Sequence, residues 1–103
     1  MSLDQIKEIV KISGTFDLDF SDEMDEYLEK VYEPVRAAVA DNDAIVIEYL
    51  SKCGKNEIDN LITAVRAGAL EGKNKKAAAL YVKHSRDMGD QIDNVFADLL
   101  TCE

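Results

Sequence analysis

Few residues in this chain could carry chemistry. His84 is the sole histidine, and Cys53 and Cys102 are the two cysteines. A cysteine–histidine nucleophile pair would need one thiol beside His84, and no flanking signature accompanies either. A di-iron bundle needs two Glu-x-x-His pairs, and the chain has none. A structural zinc site needs four thiol or imidazole ligands, more than the sequence holds. His84 therefore reads as a partly buried histidine bonded to a neighbour, near Asp87 and Met88. The two thiols, outside any Cys-x-x-Cys, read as reduced and structural.

Two spacings imitate known sites and fail. Gly68-Ala-Leu-Glu-Gly72-Lys73-Asn74 has the flavour of a phosphate loop. That loop needs four residues between its glycines, a Ser or Thr after the lysine, and a preceding strand. Here three residues separate the glycines, Asn74 follows the lysine, and a helix precedes. The segment reads as a helix stop and a helix start. Asp17, Asp19, Ser21, Glu23 and Asp25 have the alternating rhythm of a calcium loop. The sixth position should be glycine and is Asp22, and the twelfth should be glutamate and is Leu28. No catalytic residue, metal ligand or cofactor is assigned, and the chain is read as non-enzymatic.

What remains is charge. The net charge of −9 is unevenly placed. Residues 1–51 hold thirteen acids and four bases, whereas residues 52–103 hold eight of each. Within the second half, Lys52 to Arg86 carries eight bases and three acids. Asp17, Asp19, Asp22, Glu23, Asp25, Glu26 and Glu29 run without a base until Lys30. They form the expected partner-binding face, with Phe16 or Phe20 as its apolar anchor. Exposed acids govern on-rate and salt sensitivity, and a desolvated aromatic supplies affinity. The expected partner is a protein with a basic surface. The expected role is an adaptor, chaperone-like factor or inhibitor. The alternatives are an acidic nucleic-acid mimic or anti-defence inhibitor, and a small ligand or metal carrier. Lys73, Lys75, Lys76, Lys83 and Arg86 form a basic patch. No aromatic interleaves with it, so it reads as a complement to acids rather than a direct nucleic-acid contact.

These residues must be positioned by helices. The composition (47% hydrophobic, one proline) suits an all-α chain with a single core. The pattern predicts one domain over residues 1–103. Its architecture is a bundle of four or five helices, read as two helical hairpins plus an N-terminal helix. Leu3 to Ser13 carries an apolar face and ends at Gly14. Thr15 to Phe20 alternates and reads as an extended linker pinning Phe16, Leu18 and Phe20. Ser21 is the expected N-cap of the next helix, whose stripe is Met24, Leu28, Val31, Val35 and Val39, with a kink before Pro34. Ala44 to Cys53 reads as helix despite Ile45-Val46-Ile47, and Asn56 as the cap of Glu57 to Leu70. Val35 to Asn42 resembles Val65 to Gly72, thirty residues on, as in helical-hairpin repeats.

The last helix is expected to run from Asn74 to Leu100. It carries a second apolar line of Ala78, Val82, Ser85, Gly89, Ile92, Phe96 and Leu99. Gly89 inside a helix costs about 1 kcal/mol relative to alanine, which suggests a need for close approach. That line is the expected interface of a homodimer. No apolar run spans a membrane and no signal pattern opens the chain, so the expected setting is the cytoplasm. Far-UV circular dichroism should show the double minimum of an all-helical chain, and a β-dominated spectrum would overturn the fold reading.

Overall fold

The computed structural model describes residues 1–89 and 94–101. Their regular elements are all helices, with no strand among them. The elements are α1 (Leu3–Ser13), α2 (Ser21–Tyr27), a π-helical turn (Leu28–Tyr32), α3 (Glu33–Ala40), α4 (Ala44–Lys52), α5 (Lys55–Asp59), α6 (Ile62–Gly72), α7 (Lys75–Asp87) and α8 (Asn94–Thr101). The elements are more numerous and shorter than the periodicity suggested. Short helices need tertiary partners, because isolated helices of this length are marginal in water. One continuous core supplies those partners. Its fully buried side chains include Ile6, Val31, Val35, Val39, Val46, Leu50, Leu61, Val65 and Phe96.

The centre of that core is the pairing of α3 with α6. On α6, Gly68 and Gly72 face α3 one helical turn apart. A Cβ at Gly68 would lie 2.6 Å from the Arg36 carbonyl oxygen and 2.7 Å from the Val39 Cβ. At Gly72 it would lie 2.1 Å from the Ala40 carbonyl oxygen. Only hydrogen fits at either position, so the two backbones approach as small-x-x-x-small helices do. The sequence pattern takes Gly72 as the C′ residue just past this helix, and the structure corrects that. The stop is Lys73, with φ 49°, and Gly72 is the last helical residue.

The turns out of α3 and α6 are built alike, thirty-one residues apart, one residue out of step with the thirty-residue likeness in the sequence. Helix α3 ends with Asn42 at φ 58°, and Asp43 then caps α4 by accepting from the Ile45 and Val46 amides. Helix α6 ends with Lys73 in the same left-handed region, and Asn74 caps α7 by accepting from the Ala77 amide at 3.1 Å. In each turn the capping residue's amide reaches back five residues, Asp43 to Ala38 and Asn74 to Ala69, both at 3.0 Å. That six-to-one bond is the mark of a Schellman ending. Asn74 is buried, and its Nδ2 donates to the Val39 carbonyl at 3.1 Å. The cap of α7 is thereby fastened to the end of α3.

Elsewhere the structure revises several expectations. Pro34 lacks an amide, and its ring would clash with the carbonyl four residues back. The chain relieves this with a π turn, in which the Glu33 amide bonds the Leu28 carbonyl. Phe20, not Ser21, is the N-cap of α2, and it makes no side-chain cap bond. Residues 17–20 fold as a turn closed by the Phe20 amide on the Asp17 carbonyl at 3.2 Å, rather than an extended linker. Gly54, not Asn56, caps the helix that follows, and that helix breaks at Asn60 and Leu61 into α5 and α6. Helix α4 buries Val46 and Leu50 and leaves Ile45 exposed.

The helix expected over Asn74–Leu100 is two helices. Helix α7 stops at Met88, and Gly89 follows at φ +77°. A Cβ there would meet nothing within 4 Å, so Gly89 serves backbone conformation and not close approach. Of the line expected to join two copies, Ala78, Val82, Ser85 and Phe96 are buried inside the single chain. Leu99 packs partly against the same core, Gly89 is exposed, and Ile92 lies outside the described residues. The face expected to meet a second copy is thus filled from within.

Gly72→Ala and Gly68→Ala should each lower stability by about 1–3 kcal/mol, because the added methyl collides with α3 backbone or Val39. Urea midpoints would show this. Unchanged midpoints would mean that α6 lies farther from α3 than described.

Candidate functional site

The acidic segment splits into groups with different duties. Asp17 and Glu23 fold onto the chain itself. Glu23 Oε1 accepts from the Asp17 amide at 3.1 Å, and Asp17 Oδ1 accepts from the Asp19 amide at 3.1 Å. These bonds order the turn that leads into α2. The alternating acids are therefore turn and entry residues, as their failed match to a calcium loop implied. Asp22, Glu23, Asp25, Glu26 and Glu29 line one open depression along α2 and the π turn. Lys30 pairs with Glu26 at 3.6 Å across exposed side chains, a contact worth little in water. Acids in the first turn also suit the dipole of α2.

The two phenylalanines part company. Phe16 is half-buried and meets the Tyr27 ring edge-on, with centroids 5.9 Å apart at 76°. Tyr27 is buried in turn, and its hydroxyl donates to the Asn60 carbonyl. Burial raises the Tyr27 pKa above its ordinary value, with Tyr32 adding to the effect. Phe16 is thus a core residue that holds the 15–20 turn to the α5–α6 junction. Phe20 is 61% exposed and makes no ring contact among the described residues. Leu18 and Leu28 are exposed too, at 44% and 39%, and Met24 is half-buried. Phe20, Met24 and Leu28 follow one another at four-residue steps, so they form an apolar edge along α2 beside its carboxylates. The sequence pattern had assigned Met24 and Leu28 to the core. The π turn explains the difference. It shifts the register so that Tyr27, Val31 and Val35 face inward.

No known protein family, curated protein or solved structure matches the chain.

The remaining chemistry-bearing residues resolve into structural roles. His84 is buried, and its Nε2 lies 3.1 Å from Asp59 Oδ1. The partner is Asp59 of α5, twenty-five positions away, and not the adjacent Asp87. No periodicity could have signalled that pair. Cys53 donates its Sγ–H to the Tyr49 carbonyl at 3.4 Å. Burial pushes the Cys53 thiol up to about 11, and the Glu57 carboxylate adds to the shift. Such a thiol is protonated near neutrality, the opposite of an activated nucleophile. Cys102 lies outside the described residues. Among the described residues, no three of His, Cys, Asp and Glu gather closely enough to hold a metal ion. No helix among them is long and apolar enough to cross a membrane.

Arg36 was not singled out by its sequence context, yet it ties α3 to α6. Its guanidinium pairs with Glu33 Oε2 at 2.8 Å and with Glu71 of α6. The cue was available in the i, i+3 spacing of Glu33 and Arg36, though not the reach to Glu71.

The thiol offers a measurable check. In a Cys102→Ser chain at neutral pH, raising the Cys53 pKa from 9.0 to about 11 cuts its thiolate fraction about 100-fold relative to the unfolded chain. Greater intrinsic nucleophilicity returns about tenfold of that. Alkylation of the folded protein should therefore run about tenfold slower than that of the urea-unfolded chain, with a rate still rising past pH 10. Equal rates in the two states would show that the thiol is not shielded.

Proposed function

We propose that this chain is a non-enzymatic interaction module whose binding face is α2. The observation that carries the reading is Phe20, 61% exposed beside the carboxylates of α2. Large aromatic side chains bury 150–250 Å2 each when covered. Leaving one in water on a domain this small forfeits stabilisation of about 2 kcal/mol, which a partner can recover. The surrounding acids select what that partner is. A basic surface is drawn in and oriented by Asp22, Asp25, Glu26 and Glu29, and Phe20 then enters a desolvated contact. Phe16 has no part in the contact, since its ring belongs to the core.

The reading as a nucleic-acid mimic draws on the same carboxylates and differs only in the identity of the partner. Phosphate mimicry needs acids spread along a continuous surface, whereas five of them here line one depression on about two turns of helix. That arrangement favours a local protein contact.

Charge reversal of Asp22, Glu23 and Glu26 to lysine should abolish capture of a basic partner at low salt, with helicity retained. Phe20→Ala should weaken capture about 10-fold or more and leave stability nearly unchanged. Phe16→Ala should do the reverse, lowering stability by about 2–4 kcal/mol while any folded fraction still binds. Capture by Phe20→Ala equal to that of the unaltered chain would place the face elsewhere.

A further inference from the structure

A second surface of opposite character lies between α4 and α7. It is a trough made of two concavities, of about 510 and 140 Å3, which meet at Ser51. Its floor is apolar, with Ile47 and Leu80 half-buried and Ile58 buried. Its edges carry Lys55, Lys75, Lys76 and Lys83. The lining acids are Glu48, which pairs with Lys52 at 3.1 Å, and Asp87. Lys55 Nζ donates to the Asp87 backbone carbonyl at 3.3 Å. Among the described residues, none of the four lysines has a carboxylate within ion-pair distance.

Lysines around an apolar floor fit a helix that carries carboxylates beside an apolar edge. A phosphodiester backbone would match the lysines and leave the floor uncovered. Helix α2 has the required character, with Phe20, Met24 and Leu28 along one line and Asp22, Glu23, Asp25 and Glu26 beside it. Within one chain no ion pair joins α2 to the trough among the described residues, so each surface is open to a neighbour. The larger concavity has room for a phenyl ring.

We propose that α2 of one copy docks in the α4–α7 trough of a second copy, head to tail. This rests on α2 being the binding face, as proposed above, and names the partner surface it fits. Two different patches meet, so the contact does not close on a twofold axis, and assemblies grow as short chains or rings. The net charge of −9 opposes association at long range. The molecule's shortest extent is 22 Å, whereas screening sets in over about 8 Å at 0.15 M salt. Repulsion between whole molecules is therefore largely screened at a separation where lysine–carboxylate contacts are not.

Sedimentation velocity on the full chain at about 0.15 M salt tests this. The expected result is a weight-average mass that rises above 11.5 kDa with concentration into the high micromolar range. One variant, Asp22→Lys with Glu23→Lys and Glu26→Lys, makes both surfaces basic. Another, Lys75→Glu with Lys76→Glu and Lys83→Glu, makes both acidic. Each alone should associate about 10-fold or more weakly, and an equal mixture should recover the association. Circular dichroism confirms that each variant is folded before mixing. A wild type that stays at 11.5 kDa, or folded variants whose mixture stays monomeric, would overturn the proposal. A monomeric wild type that still captures a basic partner through α2 would overturn self-association alone and leave the binding face standing.

Discussion

The contact on which the rest of the molecule depends is the close approach of α6 to α3. Two glycines one turn apart remove the side chains that would hold the helices at the usual 8–10 Å. The backbones then meet at Arg36 to Ala40, and the β-branched and alanine side chains on either side, Val35, Val39, Ala64, Val65 and Ala69, close over the seam. The turns out of both helices follow from this. Each ends in a left-handed residue and a polar cap, and the second cap is bonded directly to the end of the first helix. Helices α4 and α7 therefore leave the seam together and come to lie beside each other. The trough between them is a result of how α3 and α6 meet.

Charge is organised around this seam by position more than by pairing. At the seam, Arg36 pairs with Glu33 of its own helix and with Glu71 of α6. Among the described residues, Glu48 with Lys52 and Glu26 with Lys30 are local pairs four residues apart. Pairs of that kind add little stability in water. The acids of α2 and the lysines of α7 thus shape the field outside the molecule more than its internal energy. This is the physical basis for reading both surfaces as places where other chains meet this one.

Much of the fold was legible because it rests on local rules. The limits of α1, the helix start at Asn74, and the helical character of α4 follow from 3.6-residue periodicity and N-cap chemistry, which act within a few residues. The position of the disturbance before Pro34 was legible for the same reason, although its form as a π turn was not. The site was legible only in outline. The carboxylates of α2 were found by their density, yet the sequence treated Phe16 and Phe20 alike. What separates them is Tyr27, which covers one ring and not the other. The pairing of His84 with Asp59 depends on how α5 lies against α7, which no local pattern encodes. Gly68 and Gly72 were noticed for their likeness to a phosphate loop, when their spacing on a helix carried the structural meaning. Gly89 misled in the opposite sense: an apolar line of the right period ran through it, and a left-handed backbone ended the helix there.

The π turn has a consequence for how this surface can change over generations. An α-helix advances about 100° per residue, so a π turn amounts to one extra residue slipped into the helix between Ser21 and Ala40. Point substitutions on α2 alter its outward side chains and leave α3 in place. Restoring plain α geometry at unchanged length would swing all of α2 about its axis by about 100°, whereas loss of one residue from Leu28–Tyr32 would restore it with the aim of α2 kept. In the first case Tyr27 would leave the core and Leu28 would turn toward it. The outward face of α2 is free to drift in composition, while the π turn holds its aim and leaves room for the loss of one residue there.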